Sequence, residues 1–367
     1  MLFDQIKGQN KAVELLMNSI KHNRIAQAYL FYGPEGVGKF TTALYFGMAL
    51  NCLAANNKVP CGICSSCHKF LEFSHSDFIY IFPTPSLKTK ENGELDTKAV
   101  NLYLQYIENR KTQPWEQVFF EKNTEIRMND IELLQKHLEL NLREGRYRIC
   151  IVENAEQMNQ NAANSFLKTL EEPIDNTVII LTTTNKQALY PTIVSRCQPV
   201  FFKPLSDKDI EEILIEKHLA NKQSARSCAK MAKGNFELAM RYLQDTENPA
   251  RAIMLKIIDA VLNNDDLVLI EHILPNKEKF KKDLLHDILS QTELWIFDLE
   301  NLDSNLQDVI NEDQSRLLNQ SHARRNTNFT FDTMIKKLDE LHNMIDGNVN
   351  PQFIIIAYYN YLKAFYI

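Results

Sequence analysis

Apolar residues first recur at helical spacing in "NKAVELLMNSIKH", where Val13, Leu16 and Ile20 fall on one face. A short apolar run, "QAYLFYG", follows and ends in glycine, the pattern of a buried strand. Helical character resumes in "TTALYFGMALNC". Two later runs, "RICIVE" (148–153) and "TVIILTTT" (177–184), predict parallel core strands. Strands alternating with helices predict an α/β sheet covered on both faces. Residues 84–122 break this rhythm with polar, turn-rich sequence and read as an insert, partly helical around "AVNLYLQYIENR". The purpose of the insert is not readable from its residues.

Past Phe202 the strand signal fades. "SDKDIEEILIEKHLA" opens on a serine able to cap a helix, with acidic residues in its first turn. Helical patterns then run to Ile367. Leu285, Ile288, Leu289 and Ile296 mark one apolar face, and Met334, Ile335, Leu338, Leu341 and Ile345 mark another. Such stripes predict core packing. Gly347 ends one predicted helix and Pro351 begins the next. The polar stretch 301–328 reads as a solvated connection.

The length of 367 residues exceeds what one core usually holds, so two or three domains are expected. No apolar run reaches the roughly 20 residues of a membrane span. The N-terminus alternates charged and apolar residues, unlike a signal peptide. A cytoplasmic protein with reduced thiols is expected. Net charge is −6, from 41 basic and 47 acidic residues, which disfavours coating nucleic acid by bulk electrostatics.

Candidate chemistry lies in three places. "GPEGVGKF" matches G-x-x-x-x-G-K-[ST] at Gly33, Gly38 and Lys39, with Gly36 also in the loop. It sits between a predicted strand and a predicted helix, as a phosphate loop requires. Phe40 replaces the hydroxyl that would coordinate magnesium. Thr41 is turned about 100° away on the helix and substitutes poorly. The loop is therefore a structural relic or a metal-poor nucleotide site, and the relic is preferred. The second place is the end of "RICIVEN". Glu153 takes the first carboxylate position there, while Asn154 takes the second and offers no basic carboxylate. Glu156 is expected on a following helix surface. The third is Cys52, Cys61, Cys64 and Cys67, spaced C-x8-C-x2-C-x2-C, which predicts one structural zinc ion; His68 and His75 are left out of the set. Cys150 and Cys228 read as small core residues.

Taken with "FDQIKGQNKAVELL", "NAANSFLKTLEEP" and "PTIVSRCQPVFF", these motifs make residues up to about 205 resemble the clamp-loader subunits of bacterial DNA polymerase III, the family of δ′ and γ/τ. The resemblance implies an AAA+ (RecA-like, phosphate-loop) core over 1–204, with a zinc module at 52–67 and the insert at 84–122. It further implies a helical lid over 205–246 and an all-α collar over 247–367. It places such chains in a hetero-pentameric ring with γ/τ and δ subunits, loading a sliding clamp onto primed DNA. It assigns Arg196, within Ser195-Arg196-Cys197, as an arginine donated in trans to a neighbour's ATP site. Active relatives carry a lid arginine where Glu237 stands here. Phe40, Asn154 and Glu237 all depart from hydrolysis while Arg196 is kept, so the expectation is a non-hydrolysing δ′-like stator with weak or absent ATP binding. The alternatives are a divergent but active γ/τ-like ATPase and, from a different class, a zinc-dependent nucleic-acid-binding protein. The net charge and the lack of interleaved aromatic and basic residues around Cys52–Cys67 disfavour the last.

Overall fold

The computed structural model describes residues 2–54, 60–85, 97–112, 124–172, 174–217, 219–220, 222–244, 249–268, 281–303, 309–311 and 314–366. The predicted insert is thus described at 84–85 and 97–112, and its other residues lie outside the described ones. Two units emerge. The first is Met1–Asn221 with Ala232–Ala239, and the second is Lys222–Met231 with Met240–Ile367.

The first unit is built on a sheet. Its strands are β1 (Ala28–Tyr32), β2 (Phe78–Ile81), β5 (Arg148–Val152), β6 (Thr177–Thr183) and β7 (Gln198–Phe201), ordered β2-β5-β6-β1-β7. β3 (Thr84–Pro85) and β4 (Thr124–Glu125) form a separate antiparallel ribbon. All pairings in the main sheet are parallel. The three runs predicted as strands are its three middle members, and they are buried at nearly every position because both faces are covered. Side chains alternate between two cores. Tyr29, Phe31, Ile149, Ile151, Val178 and Ile180 enter one, while Ala28, Leu30, Cys150, Val152, Ile179 and Leu181 enter the other. This is the expected α/β architecture with a parallel sheet.

β2 and β7 were not legible as strands. β7 is short, holds Pro199, and buries only Val200 fully. It lies at the sheet edge, where a residue lacking an N–H is tolerated.

The second unit is helical among its described residues, with helices Lys222–Met231, Pro249–Asn263, Lys282–Asp303, Ser315–Ala323, Phe331–Asp346 and Pro351–Tyr366. The apolar stripes predicted from spacing form its core around Trp295, whose indole N–H donates to Tyr366 Oη at 3.1 Å. The stretch 301–328 differs from expectation. It includes a helix, Ser315–Ala323, that buries Leu318 and Ser321. Its Arg325 pairs with Asp303 at 2.5 Å and stacks on Phe331. Among the described residues, no helix is long and apolar enough to cross a membrane.

Candidate functional site: a glycine loop with an internal cation

β1 runs directly into the glycine loop, and the loop into helix Lys39–Asn51. Two glycines there are required by space. A Cβ on Gly33 would lie 2.1 Å from Phe202 O, and one on Gly36 would lie 1.8 Å from Asn235 Oδ1. Gly36 also has φ +62°, the left-handed region that favours glycine. The Phe236 N–H donates to Gly36 O at 3.0 Å. Gly38, at φ +87°, precedes the helix. The loop thus keeps its shape through contacts with the chain's own residues.

Lys39 is buried, and its Nζ donates to Gly33 O at 2.7 Å and to Pro34 O. Burial pushes its pKa down to about 8, against the opposing pull of Glu156, Glu35, Glu153 and Glu237. Lys39, Phe40, Arg110, Glu153, Asn154 and Glu237 line one cavity, with Thr41 beside them. The motif residues predicted from the sequence therefore converge. Glu237, expected to face the phosphate site, does line the cavity and is buried.

Sequence reasoning missed Arg110. Helix Thr97–Thr112, inside the predicted insert, buries this arginine at 2% exposure. Its Nη2 donates to Glu153 Oε1. The other carboxylate oxygen, Oε2, accepts from Tyr80 Oη and, at 3.2 Å, from Tyr106 Oη. The guanidinium carbon stands 4.5 Å from the centroid of the Phe40 ring. Burial opposes the charge on Arg110, but Glu153 and the two tyrosines reverse that effect and hold its pKa well up. Phe40 also contacts Tyr80, with ring centroids 5.0 Å apart.

The arrangement does not fit a magnesium ion. A phenyl ring stands in the hydroxyl's place, and both oxygens of Glu153 already accept hydrogen bonds. The nearby hydroxyl of Thr42 is turned back onto Gly38 O at 2.8 Å. Asn154 has left-handed backbone, and its N–H donates to Thr182 Oγ1 at 3.3 Å. Glu156 is not on a helix surface as expected. It lies in a short 3-10 turn and accepts from the N–H and hydroxyl of Thr184, at 3.0 and 2.8 Å.

Arg196 lies in a separate recess with Ala28 and Cys197, at the end of the short helix Pro191–Val194. Its side chain is 35% exposed and pairs with Glu171 Oε1 at 2.6 Å. A second hydrogen bond, to Thr192 O at 2.9 Å, fixes the guanidinium plane. Cys197 beside it is buried, which pushes its thiol pKa up to about 12.

The four cysteines of the predicted cluster come together, with their sulfurs all within 4.8 Å of one another. Cys61–Cys67 and Cys67–Cys52 are 3.9 and 3.8 Å apart. Tetrahedral zinc with Zn–S bonds of about 2.3 Å needs sulfurs about 3.8 Å apart, so the set is compatible with zinc. The N–H groups of Cys64 and Cys67 donate to Cys61 Sγ and Cys64 Sγ, each at 3.4 Å. His75 packs instead on Phe70, 4.3 Å between ring centroids, and accepts from the Asp77 N–H through Nδ1.

Known proteins resemble this sequence in part. Residues 8–206 match the family described as DNA polymerase III, delta subunit. The DNA polymerase III subunit delta′ of Bacillus subtilis is 30% identical over 253 residues, covering 69% of this chain and 65% of the relative. The subunit tau of Escherichia coli is 28% identical over 243 residues, covering 65% of this chain and 32% of the relative. The protein STICHEL of Arabidopsis thaliana is 32% identical over 212 residues, covering 57% of this chain and 14% of the relative. The chain thus spans less than two thirds of each of these relatives. Among solved structures, a gamma subunit-related protein of Thermotoga maritima is 15% identical, covering 97% of this chain and all of that one, with a TM-score of 0.41. RuvB of the same organism is 14% identical, covering 82% of this chain and 77% of that one, also at 0.41. The family match takes in more than half of the residues here, and the chain belongs to the DNA polymerase III delta-subunit family.

Proposed function

We propose that the chain is a clamp-loader subunit that hydrolyses no ATP itself and lends Arg196 to the ATP site of a neighbour. The observation that carries this reading is the contrast between its two arginines. Arg110 is sealed against Glu153 inside the chain's own loop pocket. Arg196 is exposed and held by one carboxylate. A guanidinium presented in this way stabilises charge on a transferring phosphoryl group and is worth about 10³- to 10⁵-fold in rate. In this reading residues 1–204, 205–246 and 247–367 act as AAA+ core, lid and collar. The partners are γ/τ and δ subunits in a five-membered ring, acting on a sliding clamp and primed DNA in the cytoplasm. Zinc held by the four cysteines is structural, because four sulfurs leave no open coordination position. The chain's own pocket binds ATP weakly at most.

The test is ATP turnover by a ring reconstituted with γ/τ and δ subunits. Arg196→Ala should lower turnover by at least about tenfold, a floor well below the roughly 10³- to 10⁵-fold known for such arginines, while the ring still assembles by size-exclusion chromatography. Unchanged turnover would remove Arg196 from the reaction. Magnesium-dependent turnover by the purified chain alone would refute the non-hydrolysing reading.

A further inference from the structure

A phosphate loop ordinarily works with magnesium, which offsets phosphate charge. The loop here lacks the means to hold that ion, yet its pocket has a cation. Helix Thr97–Thr112 carries Arg110 over the ring of Phe40 and onto Glu153, the two positions from which a metal would have been held. A guanidinium suits this place better than an ammonium would. It is planar and permanently charged, and it can face an aromatic ring while pairing with a carboxylate. Phe40 is then a stacking partner for the arginine as well as a lost ligand.

The pocket also retains groups that receive an anion. Lys39 lines it, and helix Lys39–Asn51 begins there, adding the positive end of its dipole. Beyond the loop the lining becomes apolar at Ile6, Leu205 and Ile213, which suits a nucleoside better than bare phosphate.

We propose that Arg110 is a resident substitute for the divalent ion, so that the pocket takes a nucleoside di- or triphosphate without metal. The inference deepens the weak binding given above but does not depend on Arg196, because it concerns the chain alone.

The experiment is titration of the purified full chain with ADP and with ATP, in magnesium and in EDTA, by calorimetry. Equal affinity in the two buffers is the expected result. Arg110→Met should weaken binding in EDTA by about tenfold or more, the value of a charge-assisted contact. Arg110→Lys should recover part of that loss. Circular dichroism establishes that each variant is folded. The comparison of buffers needs no variant, so it stands even where Arg110→Met misfolds. Binding that requires magnesium would overturn the proposal, as would no binding of either nucleotide in either buffer. Neither result would touch the role given to Arg196, which the ring assay decides separately.

Discussion

At the scale of single residues, the decisive contact is Arg110 with Glu153. Both groups are buried, at 2% and 4% exposure, so neither charge is screened by water. Removing one partner strands the other, at a cost of about 3–5 kcal/mol. Removing both strands neither. Arg110→Met and Glu153→Gln should each destabilise the chain strongly in urea, and the double variant should cost less than the sum by about 2 kcal/mol or more. Additive costs would show that the two side chains do not act as a pair. Half of this site was legible in the sequence. Phe40 and Asn154 announced the loss of metal chemistry because they break a motif of fixed spacing. Arg110 announced nothing, since it lies 43 residues from Glu153 in a segment with no motif, and only the fold closes that distance.

At the scale of elements, legibility followed burial. β5 and β6 are buried at every position and β1 at all but its last, and each centres on an apolar stretch. β7 is mostly exposed and gave no such stretch. Helix ends were legible where side chains cap them. Ser206 Oγ accepts from the Asp209 N–H at 3.1 Å, and Asp209 Oδ2 accepts from the Ser206 N–H at 3.0 Å, a reciprocal cap on helix Asp207–Glu216. Ser206→Ala should therefore cost about 1 kcal/mol in thermal or urea unfolding. A change below a few tenths would mean that the helix is fixed by its packing alone. At the other end of the chain, Gly347 was expected to stop a helix. Its φ is −72°, and Asn348, at φ 58°, takes the left-handed turn. Asparagine tolerates that region through its short polar side chain, and the helix itself ends at Asp346 with Gly347 as its cap, where the stop was expected.

At the scale of the whole molecule, the cysteine cluster belongs to only one of the two units. The cluster packs on the core beneath the glycine loop, with Cys52 and Cys67 buried in it. The helical unit has its own core around Trp295. Binding of a structural metal is linked to folding, so its removal should act locally. Elemental analysis should find about one zinc per chain, as four cysteine ligands require. A strong chelator should lower the unfolding temperature of the sheet-containing unit while the Trp295 fluorescence transition, read in a Trp115→Phe background, stays in place. Both transitions moving together would mean that the units unfold as one; neither moving would remove the metal from the account of stability.

The proline in β7 has one more effect. An edge strand offers its free backbone to any passing chain, and uncontrolled pairing of that kind ends in aggregation. Pro199 removes a donor from this rim only three residues after Arg196. A neighbour approaching here gains little by extending the sheet, so recognition at this face falls to side chains.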